Sequence, residues 1–304
     1  MTPNFTFSHK IFLPEFRVDS SLAEAIHSAA KSWGLEGIED ATRRDALNEI
    51  DLIRSPEWLS FSSDIGDAYR AHDHVVVRGL PVTEDGAAFL LATMALGRSF
   101  RTYRGGQIVK KFSMSPWTKD LSHTTRKGDF HTDLNTASEP PVLTAIQCLL
   151  PDPGAPKYGQ NRVARMSDLL DCLEVNGQHD VLQLLRDARV TMSNGSGQDW
   201  SGAIVVDGSG SSARIPPLRY HPSTLRAATS QALESAELET MIGAVHEAAI
   251  AASIPFDLAS GDTLFVSNHR ALHYRGECSV KFTRFPTEYQ ARQIFVLHLM
   301  EEPR

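Results

Sequence analysis

The sequence predicts a mainly β protein with flanking helices and a helical insertion in the middle of the chain. Strand-like runs lie far apart along the chain, at residues 74–78, 142–150, 262–267 and 292–299. Helix-like segments precede and separate them, and no internal repeat or clear linker divides the 304 residues. We therefore expect a single domain over residues 1–304, with N-terminal helices in 20–55 and a helical or lid insertion at about 155–255.

The N-terminal region shows the spacing of amphipathic helices. Leu22, Ile26 and Trp33 recur on one face of a helix over residues 22–33. Leu47 and Ile50 continue the pattern over residues 40–53. Apolar residues three or four positions apart bury one side of a helix, so both stretches are predicted to be helical.

The first strand is predicted at His74–Arg78, a β-branched run that Gly79 ends. Such runs bounded by a turn residue are typical of strands. A further helix is predicted over residues 84–97, where Ala88, Leu91 and Met94 share one face.

The rest of the chain alternates between strand-like, loop and helical segments. Pro140 and Pro141 precede the apolar run Val142–Leu150, and several prolines then mark a loop. Later segments are predicted as two helical pieces in 166–188, a Ser/Gly-rich flexible loop or lid at 193–213, a short strand at 214–221, a helix at 230–252, and strands at 262–267 and 292–299.

Composition narrows the class of protein. The formal charge of −7 argues against nucleic acid as the main partner. The three cysteines, Cys148, Cys172 and Cys278, are widely spaced and form no CxxC motif, so we expect buried thiols in a reducing cytoplasm. The N-terminus does not resemble a signal peptide, and no stretch reaches the roughly 20 apolar residues of a membrane helix.

A candidate metal motif lies at Phe130-His131-Thr132-Asp133. Side chains alternate faces along a strand, so His131 and Asp133 point the same way. An imidazole and a carboxylate on one face can occupy adjacent positions on a divalent metal. A second histidine would complete the facial triad of non-haem iron(II) oxygenases, which leaves positions open for substrates.

The segment from Gly261 to Arg275 supplies that histidine. Its order is Gly-Asp, an apolar strand, Asn268-x-Arg270, two residues, then His273-x-Arg275. It resembles the distal-histidine segment of the taurine dioxygenase and clavaminate synthase-like family of iron(II)/2-oxoglutarate dioxygenases. The resemblance makes His273 the third metal ligand and His269 the weaker alternative.

The resemblance also implies a site for 2-oxoglutarate, whose far carboxylate needs a planar cation such as arginine. Arg292, at the start of the last predicted strand, is the preferred partner, and Arg284 is the alternative. The family often has a threonine about thirty residues after the first ligand. This sequence has Asn161 in that region, which could contact the co-substrate instead.

The resemblance implies a double-stranded β-helix (jelly roll, cupin-like) fold and use of iron(II), 2-oxoglutarate and O2. The expected reaction is hydroxylation, desaturation or cyclisation at a C–H bond of a small molecule, with release of succinate and CO2. Because Asp133 is present, where halogenating relatives have Gly or Ala, oxidation is favoured over chlorination.

Other functions remain open at this stage. One is a triad oxygenase that does not use 2-oxoglutarate, and another is a non-catalytic metal-binding sensor on the same fold. A serine hydrolase is disfavoured because the chain has no G-x-S-x-G motif.

The substrate class is only outlined by the sequence. A small polar metabolite, such as a free amino acid or a derivative, suits this branch of the family. Lys127, Asp129, Arg219 and Arg275 are candidate contacts for a zwitterion or an acid, in a pocket formed by residues 103–130, 193–213 and 219–221. Oligomeric state cannot be inferred from the sequence.

Overall fold

The structure is a computed structural model that describes residues 5–7, 10–103, 105–120, 122–194, 197, 199–206, 217–226 and 235–303. Its helices are α1 Ser20–Arg43, α2 Pro56–His72, α3 Ala87–Thr93, α4 Met166–Val175, α5 His179–Asp187, α6 Pro222–Arg226 and α7 Ser235–Ala251. Its strands are β1 Glu15–Arg17, β2 His74–Arg78, β3 Lys110–Ser113, β4 Leu143–Leu150, β5 Asn161–Arg165, β6 Arg189–Ser193, β7 Asp199–Ala203, β8 Thr263–Ser267, β9 Ala271–Arg275, β10 Val280–Arg284, β11 Glu288–Ala291 and β12 Gln293–Leu299.

A six-stranded sheet forms the larger layer, in the order β1-β2-β8-β4-β12-β3. All neighbouring strands run antiparallel except β1 and β2, which run parallel. Ile146, on the central strand β4, pairs with Leu264 of β8 on one side and with Val296 of β12 on the other. The sheet therefore joins segments from both ends of the chain.

Smaller pairings form the opposite layer. β5 pairs with β9, β10 pairs with β11, and a bridge between His131 and His273 extends the β5–β9 pair. β9 carries His273 directly after the short turn that leaves β8 of the large sheet. Thus the turn between β8 and β9 brings the candidate metal ligands to the space between the two layers.

The N-terminal helices agree with the sequence prediction only in part. α1 is interrupted at Gly34, whose φ of 63° and ψ of 168° are not helical, so the first predicted helix ends where expected. The part of α1 after Gly34 extends to Arg43, into the second predicted helix. The remainder of the second predicted helix is two 3₁₀ turns, at 47–49 and 51–54. The sequence analysis also missed α2, which Ser55 caps and Pro56 opens.

The predicted strands at 74–78, 142–150, 262–267 and 292–299 agree with β2, β4, β8 and β12 within one residue at each end. The helix predicted over 84–97 is shorter, because α3 begins after Gly86, where φ is 88°, and ends at Thr93. Every residue of α3 is buried in the apolar cluster that it shares with α1 and the large sheet, so packing rather than length stabilises this short helix.

The segment between β5 and β8 contains α4, α5, α6 and α7 around their own apolar cluster. The predicted flexible loop at 193–213 is partly ordered, because β7 pairs with β6 as a hairpin. Residues 195, 196, 198 and 207–213 of that loop, 214–216 of the predicted short strand and 230–234 of the predicted helix lie outside the described residues. The assignment of 1–304 to one domain with an insertion stays a prediction.

Two further expectations concern the cysteines and membrane-spanning helices. Cys148, Cys172 and Cys278 are all buried free thiols, as predicted. In the part of the chain that the structure describes, no helix is both long enough and apolar enough to cross a bilayer.

Candidate active site

Backbone pairing brings the two histidines of the proposed triad together, although 142 residues separate them. The N–H of His131 donates to the carbonyl oxygen of His273 at 3.0 Å, and the N–H of His273 donates back to the carbonyl of His131 at 3.1 Å. Directly paired residues project to the same face of a sheet. Both imidazoles therefore point into the space between the layers, with ring centroids 4.3 Å apart.

The carboxylate of Asp133 completes this group. Its Oδ1 lies 3.5 Å from His131 Nε2, and its Oδ2 lies 3.6 Å from His273 Nε2. One ligand atom from each residue lies within 4.8 Å of the others. Two imidazole nitrogens and one carboxylate on one side of a site match the donor set of a facial-triad iron(II) centre.

Neighbouring polar groups orient two of the three ligands. His131 Nδ1 donates to the carbonyl oxygen of Asp129 at 2.7 Å, which orients Nε2 toward the site. Asn268 accepts from the N–H of Asp133 at 2.6 Å and donates to its carbonyl oxygen at 2.9 Å. Asn268, which belongs to the sequence motif, thus fixes the backbone of Asp133.

The side chain of Asp133 is held as well. Thr144 Oγ1 donates to its Oδ2 at 2.8 Å, and His298 Nε2 lies 3.1 Å from the same oxygen. Sequence reasoning missed both residues. A signal for His298 was available, because it lies an even number of positions after Arg292 on one strand and so faces the same side.

The electrostatics suit metal ligation. Burial opposes ionisation of Asp133, but the neighbouring His273 and the hydrogen bonds from His131 and His298 hold the pKa of Asp133 well below its usual range. Burial, with the adjacent His131, lowers the pKa of His273 to about 3. Near neutral pH the site therefore presents an anionic oxygen and an imidazole with a free lone pair.

Arg292 and Asn161 form a second polar group between the layers. Arg292 Nη2 donates to Asn161 Oδ1 at 2.9 Å, and both residues are buried. Among the described residues, Arg292 Nη1 and Asn161 Nδ2 have no hydrogen-bond partner. Unpaired buried donors are costly in free energy. These two, one on the guanidinium and one on the neighbouring amide, fit an anionic oxygen ligand such as a carboxylate.

Two cavities meet at the triad. One, of about 240 Å³, contains Arg292 and Asn161 in its wall, together with apolar side chains such as Ile146 and Leu264. The wall of the other, of about 590 Å³, is formed mainly by residues with polar side chains, Asp129 among them. His131, Asp133, Leu134, Ser122 and Arg275 line both. The arrangement offers a small chamber for a co-substrate and a larger one for a substrate, on either side of the ligands.

Two alternative candidates lie elsewhere. His269 is buried, and burial lowers its pKa to about 4, but it belongs neither to the triad group nor to either cavity wall. The side chain of Arg284 is 78% exposed on β10, where it faces Glu288 at 3.9 Å. The structure therefore groups His273 and Arg292 with the site and leaves His269 and Arg284 outside it.

Of the four candidate substrate contacts, three line the larger cavity and one, Arg219, lies outside both cavities. Arg219 donates from Nη1 to the carbonyl oxygens of Asn135 and Ala137, at 2.9 and 2.6 Å, and lies over the ring of Trp200. It supports the loop after Asp133 and is absent from both cavity walls. Lys127, Asp129 and Arg275 do line the larger cavity.

His221 is a further wall residue of the larger cavity, within the segment that the sequence analysis assigned to the pocket. Its ring centroid lies 4.9 Å from that of His131. Burial and the adjacent His131 lower the pKa of His221 to about 3. Since its Nδ1 accepts from the N–H of Ser223 at 3.2 Å, Nε2 is left to donate.

Comparison with solved structures identifies proteins of the same fold. Asparagine oxygenase in complex with Fe(II), (2S,3S)-3-hydroxyasparagine and succinate superimposes with a TM-score of 0.70 at 17% identity, over 94% of this chain and 93% of that one. The non-heme iron oxygenase OrfP in complex with (3S)-hydroxy-L-Arg gives 0.68 at 16%, over 94% of each chain. PvcB from Pseudomonas aeruginosa gives 0.58 at 16%, over 78% of this chain and 79% of that one. The predicted double-stranded β-helix fold is thereby confirmed.

Sequence comparison gives the family. No curated protein sequence matches the chain. The family model described as "Taurine catabolism dioxygenase TauD, TfdA family" matches residues 49–281, which is more than half of the chain and includes the segments of all three proposed ligands. The family predicted from the sequence motifs is therefore confirmed: this chain belongs to the TauD/TfdA family of dioxygenases.

Proposed function

We propose that this dioxygenase uses iron(II), 2-oxoglutarate and O2 to hydroxylate a C–H bond of a free amino acid or a close derivative, with release of succinate and CO2. His131, Asp133 and His273 would hold the iron, and Arg292 with Asn161 would bind the far carboxylate of 2-oxoglutarate. The observation that carries the proposal is the position of the triad between two cavities, one of which contains buried donors that have no partner among the residues the structure describes.

When bound, the iron supplies a site where O2 is activated by oxidation of 2-oxoglutarate. The protein residues hold and orient the reactants around it. Arg292 and Asn161 fix one end of the co-substrate, and the apolar side chains of Ile146, Leu264 and Ile294 keep water from its middle. Asp133 fills the position that halogenating relatives leave free for chloride, which favours hydroxylation.

Charge on the wall of the larger cavity supports an amino acid as the substrate. Arg275 donates to Cys278 Sγ at 3.0 Å, to Met114 Sδ at 3.3 Å and to the carbonyl oxygen of Arg126 at 2.9 Å. None of these acceptors carries a charge. Among the described residues, no carboxylate forms an ion pair with Arg275, so the guanidinium is suited to a substrate carboxylate.

Asp129 supplies the opposite charge on the same wall. The N–H of Gly128 donates to the carbonyl oxygen of Arg275 at 2.8 Å, so Asp129 and Arg275 lie on adjoining segments. Within the described part of the chain no ion pair joins the two side chains. An unneutralised cation and anion beside one cavity suit the carboxylate and ammonium groups of a zwitterion. The solved relatives that contain hydroxyasparagine and hydroxyarginine add support for this class.

Succinate formation tests the proposal directly. Purified protein would receive iron(II), ascorbate, 2-oxoglutarate and O2 with each member of an amino-acid panel, beside an Asp133→Ala variant. We expect succinate and a hydroxylated product from the wild type alone. An oxidised substrate without succinate would favour a triad oxygenase that does not use 2-oxoglutarate. Iron binding without any turnover across the panel would favour a metal-binding sensor.

The substrate assignment has its own test. For the amino acid that turns over, Arg275→Gln should raise KM about 100-fold, as expected for loss of a charge-assisted bidentate contact. The KM for 2-oxoglutarate should stay within about threefold, because Arg292 retains that role. A rise in the KM for 2-oxoglutarate alone would place Arg275 at the co-substrate and contradict the zwitterion assignment.

A further inference from the structure

Two side chains from different strands converge on one oxygen of Asp133. Thr144, on β4, donates to Oδ2 at 2.8 Å, and His298, on β12, lies 3.1 Å from it through Nε2. An ionised carboxylate only accepts hydrogen bonds, so Nε2 of His298 carries a proton and donates. A carboxylate oxygen has two lone pairs, and these contacts occupy both pairs of Oδ2.

The other nitrogen of His298 is also fixed. Its Nδ1 makes a hydrogen bond with the phenol hydroxyl of Tyr103, whose ring centroid lies 5.9 Å from that of the imidazole. Backbone contacts place this pair, because the N–H of Arg101 donates to the carbonyl oxygen of His298 at 2.9 Å. The chain Tyr103–His298–Asp133 therefore has little rotational freedom at any member.

We propose that His298 is a positioning residue that sets how Asp133 binds the metal, with Tyr103 holding the orientation of its ring. The inference rests on the proposed role of Asp133 as a ligand. With Oδ2 occupied by Thr144 and His298, Oδ1 alone is left for a metal, and Asp133 would bind it through one oxygen. Binding through one oxygen would leave room at the metal for a chelating co-substrate and O2.

Packing alone does not account for His298. It and Arg292 are the two polar residues of an alternating, cavity-facing set at the start of β12 and along it, whose other members are Ile294 and Val296. An apolar residue would fill the same space between Tyr103 and β4 without a donor. Groups that orient metal ligands typically change metal affinity or activity 10- to 100-fold when they are lost, which gives the size of effect to expect here.

Cobalt(II) binding to metal-free protein, followed by its visible absorption spectrum, tests the proposal without requiring turnover. His298→Leu removes the donor, whereas His298→Gln keeps an N–H that can reach Asp133. Leu297→Val is the matched control, since it changes the same strand at a residue that is buried in the apolar cluster with the N-terminal helices and is absent from the cavity wall. We expect His298→Leu to weaken cobalt(II) binding about tenfold or more and to alter the spectrum, with His298→Gln and the control within about threefold of wild type.

Each other outcome has a definite meaning. Equal binding and equal spectra for wild type and His298→Leu would overturn the positioning role. So would equal weakening by the Leu and Gln variants, since that indicates lost packing. If the wild type binds no cobalt(II), or if Asp133→Ala binds as well as wild type, the metal site itself is wrong. Thermal unfolding of the metal-free variants separates a folding defect from lost affinity.

Discussion

Arg292 and Asn161 lie 131 positions apart, yet they share one buried hydrogen bond of 2.9 Å, and each keeps a donor that has no partner in the described part of the chain. This pair gives the sharpest prediction for the co-substrate. Arg292→Gln should raise the KM for 2-oxoglutarate about 100-fold, because truncating one member of a buried charge pair costs about 3 kcal/mol. Arg284→Gln, at an exposed position on β10, should leave it unchanged. Steady-state kinetics on both variants settle which arginine acts.

The two histidines near β9 should differ in metal binding. His273→Ala removes a proposed ligand and should abolish stoichiometric iron(II) binding, whereas His269→Ala should retain it. Anaerobic titration with 2-oxoglutarate, monitored by the visible charge-transfer band, measures both variants. Loss of the band only in the His269 variant would reverse the ligand assignment.

Two glycines predict opposite effects on stability. At Gly261, φ is 87° and a Cβ would lie 2.2 Å from the carbonyl oxygen of Leu80. Gly261→Ala should therefore lower the free energy of unfolding by about 2–4 kcal/mol. Gly243 lies inside α7 with open space around it, so Gly243→Ala should raise that free energy by up to about 1 kcal/mol. Urea denaturation of the two variants checks both signs.

His74 predicts a pH dependence of stability away from the active site. Burial lowers its pKa to about 4, while the unfolded chain takes up the proton near the ordinary value of 6.5. Between these values the unfolded state binds more protons, so the free energy of unfolding falls as pH falls from 6.5 to 4, by about 3 kcal/mol from this residue. His74→Gln should flatten that part of the curve. Identical curves for the two proteins would contradict the assignment.

Arg219 and Arg275 should have separate roles. Arg219 donates to backbone carbonyl oxygens of the loop after Asp133, so Arg219→Met should lower the free energy of unfolding by about 3 kcal/mol and reduce kcat. Arg275→Gln should change substrate KM with little effect on stability. Denaturation curves and kinetics measured on the same preparations distinguish the two. Equal loss of stability in both variants would assign Arg275 a structural role.

Local patterns were sufficient for the central strands and for the residues of the family motifs. β2, β4, β8 and β12 are apolar runs between turn residues, and the order of residues from Gly261 to Arg275 is distinctive. The sequence was less informative where long-range packing determines the secondary structure. α2 was missed although Trp58, Phe61 and Ile65 follow helical spacing, and the proposed 193–213 loop contains a strand paired with β6.

The side chains that contact Asp133 were also missed by the sequence analysis. Thr144 and His298 have no motif of their own and lie in strands that read only as apolar. Their roles depend on the register of β4 and β12, in which Thr144 pairs with His298. That register is set by long-range strand pairing, so it follows from the three-dimensional structure and not from the sequence of either strand.

The two hydrogen bonds between Asn268 and the backbone of Asp133 join segments 135 positions apart. Neither segment alone contains the three proposed ligands, so high-affinity metal binding at this site would require that both halves of the chain have already folded. Metal and native structure are then thermodynamically linked, and each tenfold increase of free metal above its dissociation constant adds about 1.4 kcal/mol to the free energy of unfolding. Metal supply during expression would thus govern the yield of folded protein as well as its activity.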